Sequence, residues 1–425
     1  MSDEDGQRQR DVHAIAAPLA VAAVILVAFG LRPSLVSVGP ILPRVLEDFS
    51  LSHAAGSLLT SLPDLLMGIF ALPAPWLARR YGRDAVLLLA LALLAGSTLG
   101  RAFATSIFAL LATTVGVGIG IALAGALIAG FIKARFANRA ALLMGIYAAS
   151  LSLGSTIAAA VTGPVAAVAP SGWRLAAGMW SAVVVVGLVG WSLVAVREGR
   201  AAASIDAGAS REKMPLANRK AWLVALFFGC VNLLFYSVLT WTSAMYQERG
   251  IPEGEAGLIL ATFTGVFTVA NPVFGSLSRN EDRRVWLAAG AGLAVLGLIG
   301  IAAVPMTAPF LWISIFAFGL GGTFTLGMTL PLDNTQTVDE ANAWNAFVLM
   351  VGYVIAAAGP LVVGRLRDLT GSFDLAFWGL VGVATSMLLI APFLQPRRLD
   401  TARRPEAAIL VKLKNVQGTS RSGRV

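Results

Sequence analysis

The stretch LEDFSLSHAAGSLL (46–59) has a counterpart in YQERGIPEGEAGLIL (246–260), about 200 residues later. Each is a polar turn that enters an apolar run at an Ala-Gly step, Ala55-Gly56 in the first and Ala256-Gly257 in the second. A second echo pairs the Gly163-Pro164 and Gly172-Trp173 steps with Gly359-Pro360 and Gly371-Ser372-Phe373. Two matches at nearly the same offset imply that the second half of the chain repeats the first in the same order and direction.

Outward from these turns the chain is a series of apolar runs of about 20 residues, each long enough to cross a hydrocarbon core of about 30 Å. Twelve are expected, near 16–40, 54–76, 84–103, 107–132, 139–165, 173–196, 220–244, 255–277, 285–304, 309–330, 342–363 and 374–394. Of the 425 residues, 57% are hydrophobic and 13% charged, far below the charged fraction of about 25% in soluble domains. The first run follows a head of mixed charge and is too long for a signal-peptide core, so it is expected to stay as a span. The polar loop from Arg197 to Arg219 divides the spans six and six. The expected organisation is a segment over 1–15, a six-helix half over 16–196, a linker over 197–219, a second half over 220–394 and a basic tail over 395–425. The fold class is all-α integral membrane, with two six-helix parallel repeats. That is the layout of major facilitator transporters, whose solute sits near the midplane between the halves.

The net charge of +9 suggests nucleic acid until its distribution is read. With the N-terminus cytoplasmic, 25 of the 32 Lys and Arg residues fall on cytoplasmic segments, as the positive-inside rule requires. Six fall opposite, namely Arg44, Arg101, Arg174, Arg249, Arg365 and Arg367, and Arg32 lies within the membrane. Both ends are therefore expected in the cytoplasm, with the tail against anionic lipid or unstructured. The single Cys230 rules out an intrachain disulfide.

Several stretches resemble the cyanate and 2-nitroimidazole transporter family of the major facilitator superfamily. They are LRPSLVSVGPILP (31–43), LLTSLPDLLMG (58–68), FIKARFANRAALLMGIY (131–147) and GWRLAAGMW (172–180) in the first half. In the second they are FGCVNLLFYSVLTWTSAMYQERG (228–250), GLGGTFTLGMTLPLDN (319–334) and GYVIAAAGPLVVGRLRDLTGS (352–372). The Leu-Arg-Pro step is the most specific of these. The resemblance implies proton-linked or facilitated movement of a small anion or nitrogenous compound across a bacterial inner membrane. Two departures stand out: Asp64 takes a place where the family pattern has an aliphatic residue, and PWLARRYGRDA (75–85) is a degenerate form of the superfamily's inner-loop motif.

An ionisable group inside the hydrocarbon is costly and is usually kept on a bundle interior or a water-filled path. Arg32 and Asp64 are such groups, at depths of about 12 and 15 Å from the outer surface by the helical rise. They are expected to meet as an ion pair. Such a pair either locks two helices or forms a site, in which protonating Asp64 frees the Arg32 guanidinium to hold a small anion bidentately. Asp64 is the proton-coupling candidate. Arg32, Tyr147, Asn232, Tyr236 and Tyr353 are the solute-binding candidates, with Ser150 beside them; the bland reading of the Tyr and Asn residues is interhelical hydrogen bonding. Trp241 and Tyr246, and likewise Trp173, Arg174 and Arg101, are expected at the outer rim. Asp333-Asn334 is expected to gate or cap the inner end of the tenth span. The glycine series Gly116, Gly118, Gly120 and Gly125 lacks the Lys-Ser/Thr step of a phosphate loop and reads as close helix packing.

No zinc-binding or serine-hydrolase motif is found, and the extramembrane pieces are too short for a nucleotide-binding module. Hence no metal, no cofactor, no enzymatic activity and no nucleic-acid partner are expected. The partners are a small solute, protons and the bilayer, and a monomer is expected because two halves enclose a complete pathway. A proton-antiport exporter of drugs or metabolites is the alternative, favoured by the Gly163-Pro164 step.

Overall fold

In a computed structural model the described residues are 18–136, 139–168, 172–198, 214–278 and 282–396. The N-terminal segment, most of the linker and the basic tail lie outside them. Among the described residues there are helices and no strand. This follows from the solvent, because hydrocarbon offers backbone groups no partners and a helix satisfies its own.

Among the described residues eleven helices are long and apolar enough to cross a membrane: α1 (Pro18–Asp48), α3 (Arg83–Phe103), α4 (Ile107–Ile132), α5 (Leu142–Val168), α6 (Trp173–Arg197), α7 (Arg219–Glu248), α8 (Glu253–Leu277), α9 (Arg284–Ala303), α10 (Pro309–Asp333), α11 (Glu340–Thr370) and α12 (Asp374–Phe393). The twelfth span, α2, is His53–Phe70 bent by 61° into Ala74–Tyr81. Its bend falls at Pro73 and Pro75, where missing N–H groups and ring sterics interrupt the ladder. We call the membrane side on which α1 begins the near face and the other the far face.

Three spans outrun their apolar cores. α1 continues to Asp48 and α7 to Glu248, and α11 runs on through Arg365, Arg367 and Asp368 to Gly371, a left-handed cap with φ +77°. Hydropathy stops at the first charges, whereas a helix stops where a cap stops it. Side-chain caps start others: Ser106 accepts from Ala109 N before α4, and Asn218 from Ala221 N before α7.

Within halves, α7 packs on α11, α10 on α8 and α9, and α4 on α2 and α3; between halves, α2 meets α11 and α5 meets α8. Small residues permit these approaches. A methyl group on Gly39 of α1 would lie 2.6 Å from the Leu239 carbonyl of α7, and one on Gly118 of α4 would lie 2.8 Å from Pro63 Cα of α2. Gly116 and Gly120 face α3 as closely, but Gly125 has only the Tyr147 hydroxyl near it, at 3.6 Å. The packing reading thus holds for three of the four glycines, and the fourth leaves room beside a candidate residue.

On the far face the halves are tied together. Arg44 pairs with Glu253 at 2.7 Å, the Gln247 amide donates to the Pro40 carbonyl at 3.1 Å, and His53 pairs with Asp368 at 2.8 Å. Deeper, Thr240 bonds Thr60 at 2.9 Å and Thr156 bonds Thr264 at 3.1 Å. The near face carries pairs internal to a half, such as Arg283 with Asp333 at 2.6 Å. That pair anchors the Asp333 end of α10 to the start of α9, while the Asn334 amide caps Leu330 O.

Candidate functional site

The hydrogen-bond ladder of α1 breaks at Arg32 and again at Ser37, but both residues keep right-handed helical torsions and the span runs on to Asp48. Pro33 has no N–H to donate back along the helix, which leaves a carbonyl free and lets the axis shift. The break is braced from α3. Thr98 bonds the Ser34 hydroxyl at 2.8 Å, and the Arg101 guanidinium donates to the Ser34 carbonyl and to Thr114 Oγ1 at 3.3 Å.

Arg101, at the far-face end of α3, is therefore only 2% exposed, with its guanidinium turned into the bundle. Its place could be sought from Thr98, which lies three residues earlier on the same helix face. Trp241 and Tyr246 are likewise fully buried, and the Trp241 indole donates to the Pro360 carbonyl at 2.9 Å. The span simply extends past them, so neither meets the lipid interface. Trp173, also buried, donates to Asp48 at 3.1 Å beside the Arg174–Asp48 pair.

Held at the break, Arg32 sends its guanidinium across the interface between halves, where Nη1 donates to the Tyr236 hydroxyl of α7 at 3.0 Å. The residue keeps some exposure there. Tyr147 of α5 and Tyr353 of α11 also lie within electrostatic reach of its charge. Tyr236 and Tyr353 have ring centroids 6.3 Å apart, and Phe235 meets Tyr236 edge-on at 5.1 Å. Four of the five solute-binding candidates thus gather from α1, α5, α7 and α11.

Asn232 does not join them through any bond; its amide donates to Phe228 O of its own helix at 2.8 Å, one turn before Tyr236. Ser150 is turned to Ile146 O in the same way. Both spend their donors on the helix, which is what Asn and Ser do in apolar surroundings.

The expected ion pair is not formed. Asp64 is fully buried, and neither carboxylate oxygen has a hydrogen-bond partner among the described residues. Arg32 spends its donor on Tyr236 instead, although its charge still acts on Asp64 at longer range. The Arg32 guanidinium is turned towards the second half, to Tyr236 of α7. Asp64 follows Pro63 inside α2, where α4 packs through Gly118.

The arrangement has definite chemical capacities. A planar guanidinium with Nε and Nη2 left beyond the Tyr236 bond offers two parallel donors to a small anion. Phenol hydroxyls beside it can donate or accept, and their rings form walls for a flat solute. An open cleft of about 770 Å³ between the starts of α7 and α11, lined by Asn218, Arg219, Thr337 and Trp344, lies at the near face. It shares no residue with this cluster. Among the described residues no group of three His, Cys, Asp or Glu could hold a metal ion.

The Major Facilitator Superfamily profile matches residues 19–357. The cyanate transport protein CynX of Escherichia coli (strain K12) is 31% identical over 378 residues, 88% of this chain and 97% of the relative. The chain belongs to the major facilitator superfamily, with the cyanate and 2-nitroimidazole transporters. The 2-nitroimidazole transporter of the same organism is 30% identical over 88% of this chain and 93% of its own length. In fold, the chain is similar to a bacterial homologue of the lysosomal transporter Spinster in an inward-facing, occupied state, with TM-score 0.69, 18% identity and coverage of 88% and 93%. It is also similar to a D-xylose–proton symporter, with TM-score 0.70, 15% identity and coverage of 90% and 98%. It is a multi-pass membrane transporter of this superfamily, not an enzyme.

Proposed function

We propose that this transporter moves a small anion or nitrogen-containing solute, of the cyanate or nitroimidazole kind, across a bacterial inner membrane by alternating access. Arg32 is the anion contact, Tyr147, Tyr236 and Tyr353 shape the site, and Asp64 carries the coupled proton. Both ends of the chain face the cytoplasm, which makes the near face the inner one.

The observation that carries this reading is the half-buried Arg32 guanidinium at the interface between halves, bonded to a neutral hydroxyl rather than to a carboxylate. A cation largely withdrawn from water without a matched anion is costly, and a passing anion relieves that cost. Relatives named for cyanate, 2-nitroimidazole and, at 24% identity, nitrite extrusion share small size and nitrogen content. Asp64 supports the proton role because a carboxylate without partners in a dry site is stabilised by taking up a proton, and its long-range coupling to Arg32 links the two ligands. Binding must differ between the two open states for this linkage to drive transport.

The test is uptake of cyanate and of 2-nitroimidazole into proteoliposomes, with and without an imposed pH gradient. Gradient-driven accumulation that turns gradient-independent in Asp64→Asn supports the proposal. Accumulation equally strong in Asp64→Asn removes Asp64 from coupling, and solute moving only against an inward proton flow makes the protein an exporter.

A further inference from the structure

The two repeat-related turns meet on the far face. His53, from the first turn, opens α2, and both of its ring nitrogens point at carboxylates of the second half. Nδ1 lies 2.8 Å from Asp368 Oδ1 of α11, and Nε2 lies 3.3 Å from Glu248 Oε1 at the end of α7. The backbone N–H groups of His53 and Ala54 donate to the two oxygens of the same Asp368, each at 2.9 Å, so a residue of one half caps a helix of the other. Arg367 of α11 holds Glu248 at 3.0 Å from the opposite side. The ring rests between Trp241 of α7 at 5.5 Å and Phe373 ahead of α12 at 5.8 Å. The charged groups around His53 are therefore Asp368 and Arg367 on α11 and Glu248 on α7, with the Arg249–Asp374 pair beyond them.

A neutral imidazole has one N–H and one lone pair, so between two carboxylates it must turn its lone pair towards one of them. The imidazolium donates to both. The far face cannot open without parting His53 from all of these groups, since they belong to the other half. We infer that His53 is a proton-binding site separate from Asp64, and that its proton holds the far face shut. Raising the pH at the far face removes the second donor, weakens the latch and favours the state open to that side. The second tie, Arg44 with Glu253, contains no imidazole and supplies a closure without this switch.

The inference rests on the two-half fold and not on the choice of solute, so its test uses solute-free protein. Spin labels on Glu47→Cys and Leu369→Cys, exposed positions of the two halves on the far face, are placed in a Cys230→Ala background. Their separation is measured by pulsed electron resonance from pH 5.5 to pH 8.5. In the wild-type background the ratio of long to short distances rises with pH by about fivefold or more, a modest population shift for a two-state element. In His53→Gln the ratio is flat, and Glu248→Gln, which keeps the Asp368 cap, gives a smaller response. A wild-type ratio that ignores pH, or a pH response undiminished in His53→Gln, overturns the inference.

Discussion

Replacing Tyr236 by Phe removes one oxygen from the wall of the candidate site and leaves the ring where it is. The ring is 1% exposed and packs against Phe235 and Tyr353, so the variant should fold. What disappears is the acceptor that holds Arg32 Nη1 at 3.0 Å. Hydrogen bonds to charged groups contribute about 1.5–3 kcal/mol. Because Arg32 is only half-buried, the freed N–H can turn towards water, and the lower end of that range applies. A guanidinium no longer aimed at the solute should lose about 1.4 kcal/mol of binding, roughly tenfold in affinity. Initial rates of cyanate uptake in proteoliposomes should show KM raised by about that factor, with a thermal midpoint in detergent close to wild type. An unchanged KM would mean that Tyr236 neither aims Arg32 nor shapes the site. A lowered KM would mean that its hydroxyl competes with solute for the guanidinium.

Two further outcomes follow from buried polar contacts. Arg101→Gln removes the brace on the Ser34 carbonyl and should lower stability by about 2 kcal/mol, read as a reduced thermal midpoint; because the brace fixes the turn carrying Arg32, KM should rise more than the maximal rate falls, a split that a purely structural role would not produce. Trp241→Phe deletes the donor to the Pro360 carbonyl at 2.9 Å and should destabilise the protein by about 1 kcal/mol, whereas an interfacial Trp would lose nothing measurable in detergent.

The fold could be read from the chain because its two signals are local. Apolar runs mark spans wherever the solvent is hydrocarbon, and the turns at 46–59 and 246–260 mark the repeat. The site could be read only in part. Arg32, Tyr147, Tyr236 and Tyr353 stand out because polar side chains are scarce at that depth, and they do converge. The pairing of Arg32 with Asp64 does not follow from depth alone, because which way a side chain points depends on the helix phase, and Arg32 points to Tyr236 of α7. The burial of Arg101, Trp241 and Tyr246 is hidden from the sequence for a related reason. Counting from the end of an apolar run puts them at the lipid surface, but α7 continues as a helix into the far-face contacts with Trp241 and Tyr246 inside it, and Arg101 turns inward to Ser34 of α1 and Thr114 of α4. His53 offered no periodic signal at all; its partners come from residues 195 to 315 positions away.

The central claim is that the Arg32 guanidinium is what an anionic solute binds. Equilibrium binding of radiolabelled cyanate to purified protein, compared among wild type, Arg32→Lys and Arg32→Gln, tests it without any dependence on gradients or direction. The account predicts saturable binding in wild type, weakened by about tenfold or more in Arg32→Lys, which keeps the charge but loses the paired donors, and undetectable binding in Arg32→Gln. Wild-type affinity retained in a folded Arg32→Gln protein would contradict it.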